Sequence, residues 1–204
     1  MTQPLAGRLE GAADVEGKLP RVLDTLGPLA GRDILLLETS AEGVARQVSS
    51  IGGRTTVSQI TEPLFRDHPD ESADVVVSLW SGFRGVRAED LAAADRVLRP
   101  GGRLLVVHDY GRDDVCGLRD ETAPEYGAWS RRDGPFLRDG GFKIRVVHCF
   151  WTFGSMEEAA GFLVDAFGER GREAAERLRR PRLAWNVAVY HRVRGQRPTA
   201  AAPG

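Results

Sequence analysis

The sequence predicts an α/β protein, a mostly parallel sheet with helices on both of its faces. Two observations carry that prediction. Short aliphatic runs recur along the chain without a polar residue inside them, as strands buried on both faces require. Stretches with apolar residues at helical spacing alternate with those runs, and strand–helix alternation calls for parallel strands joined by right-handed crossovers. At 204 residues the chain suits one domain, long enough to bury a core without disulfide staples. The expected boundaries are a flexible N-terminus at 1–14, the domain at 15–193 and a disordered tail at 194–204.

The elements follow in order. Val15, Leu19, Val22, Leu23 and Leu26 fall at near-helical spacing, which predicts an amphipathic helix closed by Gly31. Ile34-Leu35-Leu36-Leu37 is the first strand, ending at Glu38-Thr39-Ser40. Val44, Val48 and Ile51 predict the next helix, stopped by Gly52-Gly53. Residues 55–60 are β-branched and predict a second strand. After a polar, proline-broken stretch at 61–73 comes the strand Asp74-Val75-Val76-Val77-Ser78-Leu79-Trp80. Residues 89–98 predict a helix ended by Arg99-Pro100-Gly101-Gly102, and Leu104-Leu105-Val106-Val107 the strand that delivers His108, Asp109 and Tyr110. Residues 142–151 read as a strand. Ser155 and Glu158 form a capping box for a helix whose apolar face reaches Phe167, and residues 183–191 are the last strand.

Composition narrows the function. Lys+Arg 28 against Asp+Glu 29 excludes a strongly basic nucleic-acid binder. Cys116 and Cys149 are too few for a disulfide framework or a four-cysteine zinc site, and no His, Cys or acidic pair has metal-ligand spacing, so no metal is expected. No apolar run approaches the ~18 residues of a membrane span, and no secretion signal opens the chain, which predicts a cytoplasmic protein. Lys18 and Lys143 are the only lysines, which makes lysine-based covalent chemistry unattractive.

In open α/β sheets ligands lie beyond the carboxyl ends of the strands, where strand order reverses. That rule nominates residues 38–43, 59–62, 80–83 and 108–110. Two stretches then carry a family resemblance: Asp70-Glu71-Ser72-Ala73-Asp74-Val75-Val76-Val77-Ser78, and the helix ending Leu98-Arg99-Pro100-Gly101-Gly102 before Leu104-Leu105-Val106-Val107. With Gly140-Gly141-Phe142 and the late helix between two strands, the chain resembles the class I S-adenosylmethionine-dependent methyltransferases over about 16–193, most closely over 70–107. The resemblance implies a three-layer Rossmann-like sheet with a final antiparallel strand.

It also implies a site. Glu38 matches the acidic residue after the first strand and Gly43 the last glycine of the cofactor loop, with Thr39 and Ser40 between them. Ser40 and Glu42 stand where relatives carry glycines, and their side chains take room that the cofactor uses. Gln59 takes the place of the acid that holds both ribose hydroxyls, and an amide lacks the charge-assisted strength of a carboxylate. Only about a dozen residues separate that strand from Asp74. Either a helix and a strand of the usual pattern are missing, or residues 55–60 stand in for a later strand. Trp80 and Ser81 complete the cofactor set.

Methyl transfer is an in-line displacement in which the enzyme aligns the acceptor and removes a proton where needed. His108, with Asp109 and Tyr110, is the nominee for that work, against the alternative of a packed strand-end histidine. Glu38 could equally cap the following helix, and Trp80 and Phe83 could be core. His148 reads as a packed sheet histidine, while His68 lies in a polar loop beside Pro69. Residues 111–135, with Tyr126 and Trp129, fall where relatives insert a substrate lid.

The expected function is S-adenosylmethionine-dependent methylation of a small molecule, with no nucleic-acid or membrane partner and a homodimer left open. The alternative is a catalytically inactive binding or assembly module. A nicotinamide oxidoreductase fits less well because no G-x-G-x-x-G follows the first strand.

Overall fold

The computed structural model describes residues 4–119 and 126–196. The remaining residues of the expected N-terminal segment (1–3), lid segment (120–125) and tail (197–204) lie outside the described residues. In chain order the elements are helices α1 (Leu5–Ala12) and α2 (Lys18–Leu26), strand β1 (Asp33–Leu37), α3 (Glu42–Ser50), β2 (Arg54–Ser58), β3 (Ala73–Leu79), α4 (Ala88–Val97) and β4 (Leu98–Asp109). Two one-turn helices, α5 (Tyr126–Trp129) and α6 (Pro135–Arg138), precede β5 (Lys143–Thr152), α7 (Met156–Arg177) and β6 (Arg182–Val193).

One six-stranded sheet runs in the order β2-β1-β3-β4-β6-β5. The first four strands are mutually parallel, and β6 is inserted antiparallel between β4 and β5. Because side chains alternate along a strand, neighbouring residues serve opposite faces. Leu36, Val77 and Val107 join the core under α2, α3 and α7, whereas Leu37, Val76 and Val106 join the one under α4. Both faces are covered, which explains the uninterrupted aliphatic runs.

Several boundaries move, each for a local reason. Residues 5–12, read as part of a segment without a period, form α1: Leu9 and Ala12 pack against the core on one face, while Gly7 and Gly11 dilute the pattern in the sequence. Asp14 (φ 47°) is buried, and its carboxylate accepts from the N–H groups of Lys18 and Leu19 at 2.9 and 2.7 Å. That cap starts α2 at Lys18 rather than at Val15, and the helix ends at Gly27. The helix expected to reach Phe167 breaks its backbone at Gly168 (φ 57°) and then continues to Arg177.

The shortened middle resolves into a missing element. β2 pairs directly with β1 at the sheet edge, and residues 59–72 contain neither helix nor strand. Leu64 and Phe65 from this irregular stretch are buried on the α4 face, where a crossover helix would otherwise lie. Burying two such side chains stabilises by roughly 3–6 kcal/mol, which is how a loop substitutes for a helix here.

The capping box is formed: the Glu158 N–H donates to Ser155 Oγ at 3.0 Å, and Glu158 Oε2 accepts from the Gly154 N–H at 2.9 Å. Ser155→Ala should cost about 1 kcal/mol in urea denaturation. A loss within a few tenths would mean that water serves that N–H equally well.

Candidate functional site

The crevice expected to hold a ligand lies at the carboxyl ends of β1 and β3, where the chain leaves β1 toward β2 on one side and returns to β3 on the other. The β1 loop is tied across that point. The Thr39 hydroxyl donates to the Leu79 carbonyl at the end of β3 and accepts from the Ala41 N–H at 3.0 Å. Glu38 and Ser40 are exposed, and the Glu38 N–H continues the sheet by donating to the Ser58 carbonyl at 2.8 Å.

Gly43 lies in the first turn of α3, and its open side faces α1. A Cβ on Gly43 would lie 2.8 Å from Glu10 Cγ and 2.9 Å from Glu10 Oε1. Glu10 is held there by an ion pair with Arg46, which also lies 3.8 Å from Glu42. The close backbone approach that a glycine offers a ligand is therefore taken up by the protein's own carboxylate. Across the crevice, Leu37 fills the space over Gly82, where a Cβ would lie 2.5 Å from Leu37 Cδ1. S-adenosylmethionine brings a carboxylate of its own, and Glu10, Glu38 and Glu42 border the loop that would receive it. The residues in this arrangement do not fit that group.

The strand ends on the other side are equally committed. Trp80, in the left-handed region at φ 51°, stacks on Trp185 with ring centroids 5.5 Å apart. Both indoles donate to Asp109 Oδ1, at 3.4 Å from Trp80 and 2.7 Å from Trp185, and Arg119 binds Oδ2. Asp109 is buried beneath these three donors. Ser81 is also buried, and its Oγ has no partner among the described residues.

His108 is 1% exposed. Its Nε2–H donates to the Phe83 carbonyl at 2.7 Å, which assigns the tautomer because a carbonyl can only accept. The rings of Tyr126, Trp129 and Phe136 surround it, and Nδ1 is a buried acceptor without a partner among the described residues. Burial holds the imidazole pKa down at about 4, so His108 is neutral near pH 7. Tyr110 is half-buried, its N–H donating to the Asn186 carbonyl at 2.8 Å and the Arg112 guanidinium lying 5.2 Å from its ring centre.

The three nominated catalytic residues do not converge. β4 runs on to Asp109, so strand alternation sends His108 toward the α4 face and Asp109 toward Trp185 on the other. Of the cofactor set, Gln59 alone lines the cavity at the end of β2, a space of about 230 Å³ that it shares with Ser58, Thr61, Phe65, Arg66 and His68 among others. Glu10, Arg119 and Trp185 also shape the crevice, and no sequence motif nominates them. The aromatic character of Trp185 was the one available signal, since Glu10 meets Gly43 only through tertiary packing.

No family model and no curated protein matches the chain. Among solved structures, one assigned as a type II methyltransferase from Anaeromyxobacter dehalogenans superposes with a TM-score of 0.54 at 16% identity, over 90% of this chain and 97% of that one. A SAM-dependent methyltransferase from Aquifex aeolicus gives 0.45 at 17% identity, over 92% and 93% of the two chains. One assigned as a methyltransferase from Bacillus halodurans gives 0.47 at 14%, over 88% and 99%. With its strand order, its inserted antiparallel strand and its helices on both faces, the chain has the fold of the class I S-adenosylmethionine-dependent methyltransferases.

Proposed function

We propose that this chain keeps the methyltransferase fold without methyl transfer and serves as a binding or assembly module. The observation that supports the reading is the Glu10 side chain lying on Gly43, which takes the one glycine approach left in the cofactor loop. The exposed Gln59 in place of a ribose-binding acid agrees with it. Calorimetry and thermal unfolding of the full chain with S-adenosylmethionine and its demethylated product test the reading. A ligand with Kd near 10 µM would add about 2.7 kcal/mol at ~1 mM, so the expected absence of heat and of any shift is unambiguous. Saturable binding of either compound sinks it.

The second reading is S-adenosylmethionine-dependent methylation of a small molecule, and one observation favours it. The group over Gly43 is the end of a flexible side chain, tied to an exposed arginine by an ion pair worth only about 0–1 kcal/mol. With Glu10 rotated away, Glu38, Thr39, Ser40, Gly43, Gln59, Trp80 and Ser81 would border the cofactor, and His108, Asp109 and Tyr110 the acceptor. Saturable binding of S-adenosylmethionine by the unmodified chain, tightened in Glu10→Ala and followed by methyl transfer to an added acceptor, would establish this reading over the first.

A further inference from the structure

We propose that Ser58 and His68 are a nucleophile–base pair that hydrolyses activated esters of short acids in the cavity beside β2. The site lies at the carboxyl end of β2, where Gln59 also lines it, but Ser58 and His68 are not among the residues that close the β1–β3 crevice or that would border the cofactor. The proposal therefore stands or falls independently of cofactor binding.

Ser58 is the last residue of β2, with its backbone held in register opposite Leu37 and its side chain in the cavity wall. His68 Nε2 lies 3.0 Å from Ser58 Oγ, and the Gln59 carbonyl lies 3.3 Å from the same hydroxyl; with the His68 proton on Nδ1, Nε2 accepts the Ser58 O–H, as a general base requires. The pair is 10 residues apart in sequence and is brought together by the irregular stretch that replaces the crossover helix.

That stretch is held rigidly. Arg96 donates to the Phe65 and His68 carbonyls and to Asp70, each at 2.7 Å, and the His68 N–H donates to the Phe65 carbonyl at 3.0 Å. Phe65 is fully buried with φ 59°, a left-handed conformation that costs a non-glycine residue about 1–3 kcal/mol. Strain of this kind persists only where the surroundings over-determine it. Here it sets the turn that points His68 at Ser58.

The chemistry balances with water as co-reactant. Ser58 Oγ attacks the acyl carbonyl carbon while its proton passes to His68 Nε2. The ester C–O bond breaks, and the alcohol leaves with that proton. Water then attacks the acyl-serine, giving a proton to Nε2, and Ser58 recovers it as the acid departs. Among the described residues no side chain orients His68 Nδ1, so turnover is slow and confined to good leaving groups. The cavity of about 230 Å³ is smaller than the ~300–1,000 Å³ of sites for drug-sized ligands, which limits the acyl group to a few carbons.

The full chain treated with a fluorophosphonate, and separately with p-nitrophenyl acetate, tests the proposal. The expected result is a covalent phosphonyl adduct mapped to Ser58 by peptide mass spectrometry, and an initial burst of nitrophenol. Ser58→Ala should abolish both. His68→Gln, which keeps a hydrogen-bonding group beside Ser58, should slow both by about 100-fold or more, the scale of a general base. Absence of an adduct on Ser58 in the unmodified chain overturns the proposal, whatever the variants do. An adduct that forms equally fast in His68→Gln also overturns it, because the contact is then only a staple between loop and strand.

Discussion

Replacing Asp109 with alanine is expected to destabilise the protein by about 3–5 kcal/mol, the scale for breaking a buried ion pair by removing one partner. The carboxylate is buried and serves three donors: the indole N–H groups of Trp80 and Trp185, and Arg119. Its removal leaves a largely buried guanidinium and a buried indole N–H without an acceptor. Each unsatisfied neutral donor costs about 1–3 kcal/mol, and the charge more. Arg119 is tied in further by its carbonyl, which accepts from Arg170 of α7 at 2.6 Å, so the loss reaches the helix covering that face. Urea denaturation checks the size, and the melting temperature should fall by on the order of 10 °C. A loss below about 1 kcal/mol would mean that water or a neighbouring carboxylate takes over the three donors.

Acid should destabilise the fold through His108 well before most carboxylates protonate. In the folded chain burial holds this imidazole at about 4, against 6.5 for the free group. Between those values the unfolded chain binds the extra proton and the native one does not, so stability rises with pH across that window. The contribution is fully present above about pH 6.5 and is lost as pH falls toward 4, below which it is flat. At about 1.4 kcal/mol per pH unit the loss is on the order of 3 kcal/mol. His108→Gln preserves a donor to the Phe83 carbonyl but cannot titrate. The stability difference between the two proteins should therefore change by that amount between pH 7.5 and 4. A constant difference would show that the folded imidazole protonates normally and that its ring cage admits water.

The same numbers bear on catalysis. A base that is neutral at pH 7 but titrates near 4 has little driving force to take a proton there, and its Nδ1, without a partner among the described residues, lies among rings rather than in an open cleft.

What was legible follows from the range over which each signal acts. The aliphatic runs at 34–37, 75–77 and 104–107 announce strands because both faces of each are covered, whereas residues 98–102, read as the end of a helix and its stop, belong to β4. The capping box at Ser155 is a signal only four residues long, and both of its side chains bind backbone N–H groups at the start of α7. α1 was hidden because two glycines thin its apolar stripe to Leu9 and Ala12. The placement of residues 108–110 depended on where β4 ends. Treated as a loop they could converge on one ligand, but as strand residues they alternate, and β4 extends to Asp109 because β6 pairs with it that far.

The alternation of strands and helices and the departures from the family's cofactor loop were legible in the sequence alone, since periodicity and short motifs act within a few residues, whereas the two alternatives for the short link before Asp74 were decided by the direct pairing of β2 with β1 at the sheet edge. Only the tertiary structure decided that Glu10 covers Gly43, that Asp109 is committed to Arg119 and two indoles, and that His68 reaches Ser58. Those contacts join residues from separate elements, and no local pattern encodes which side chain a packed neighbour will place over an open backbone.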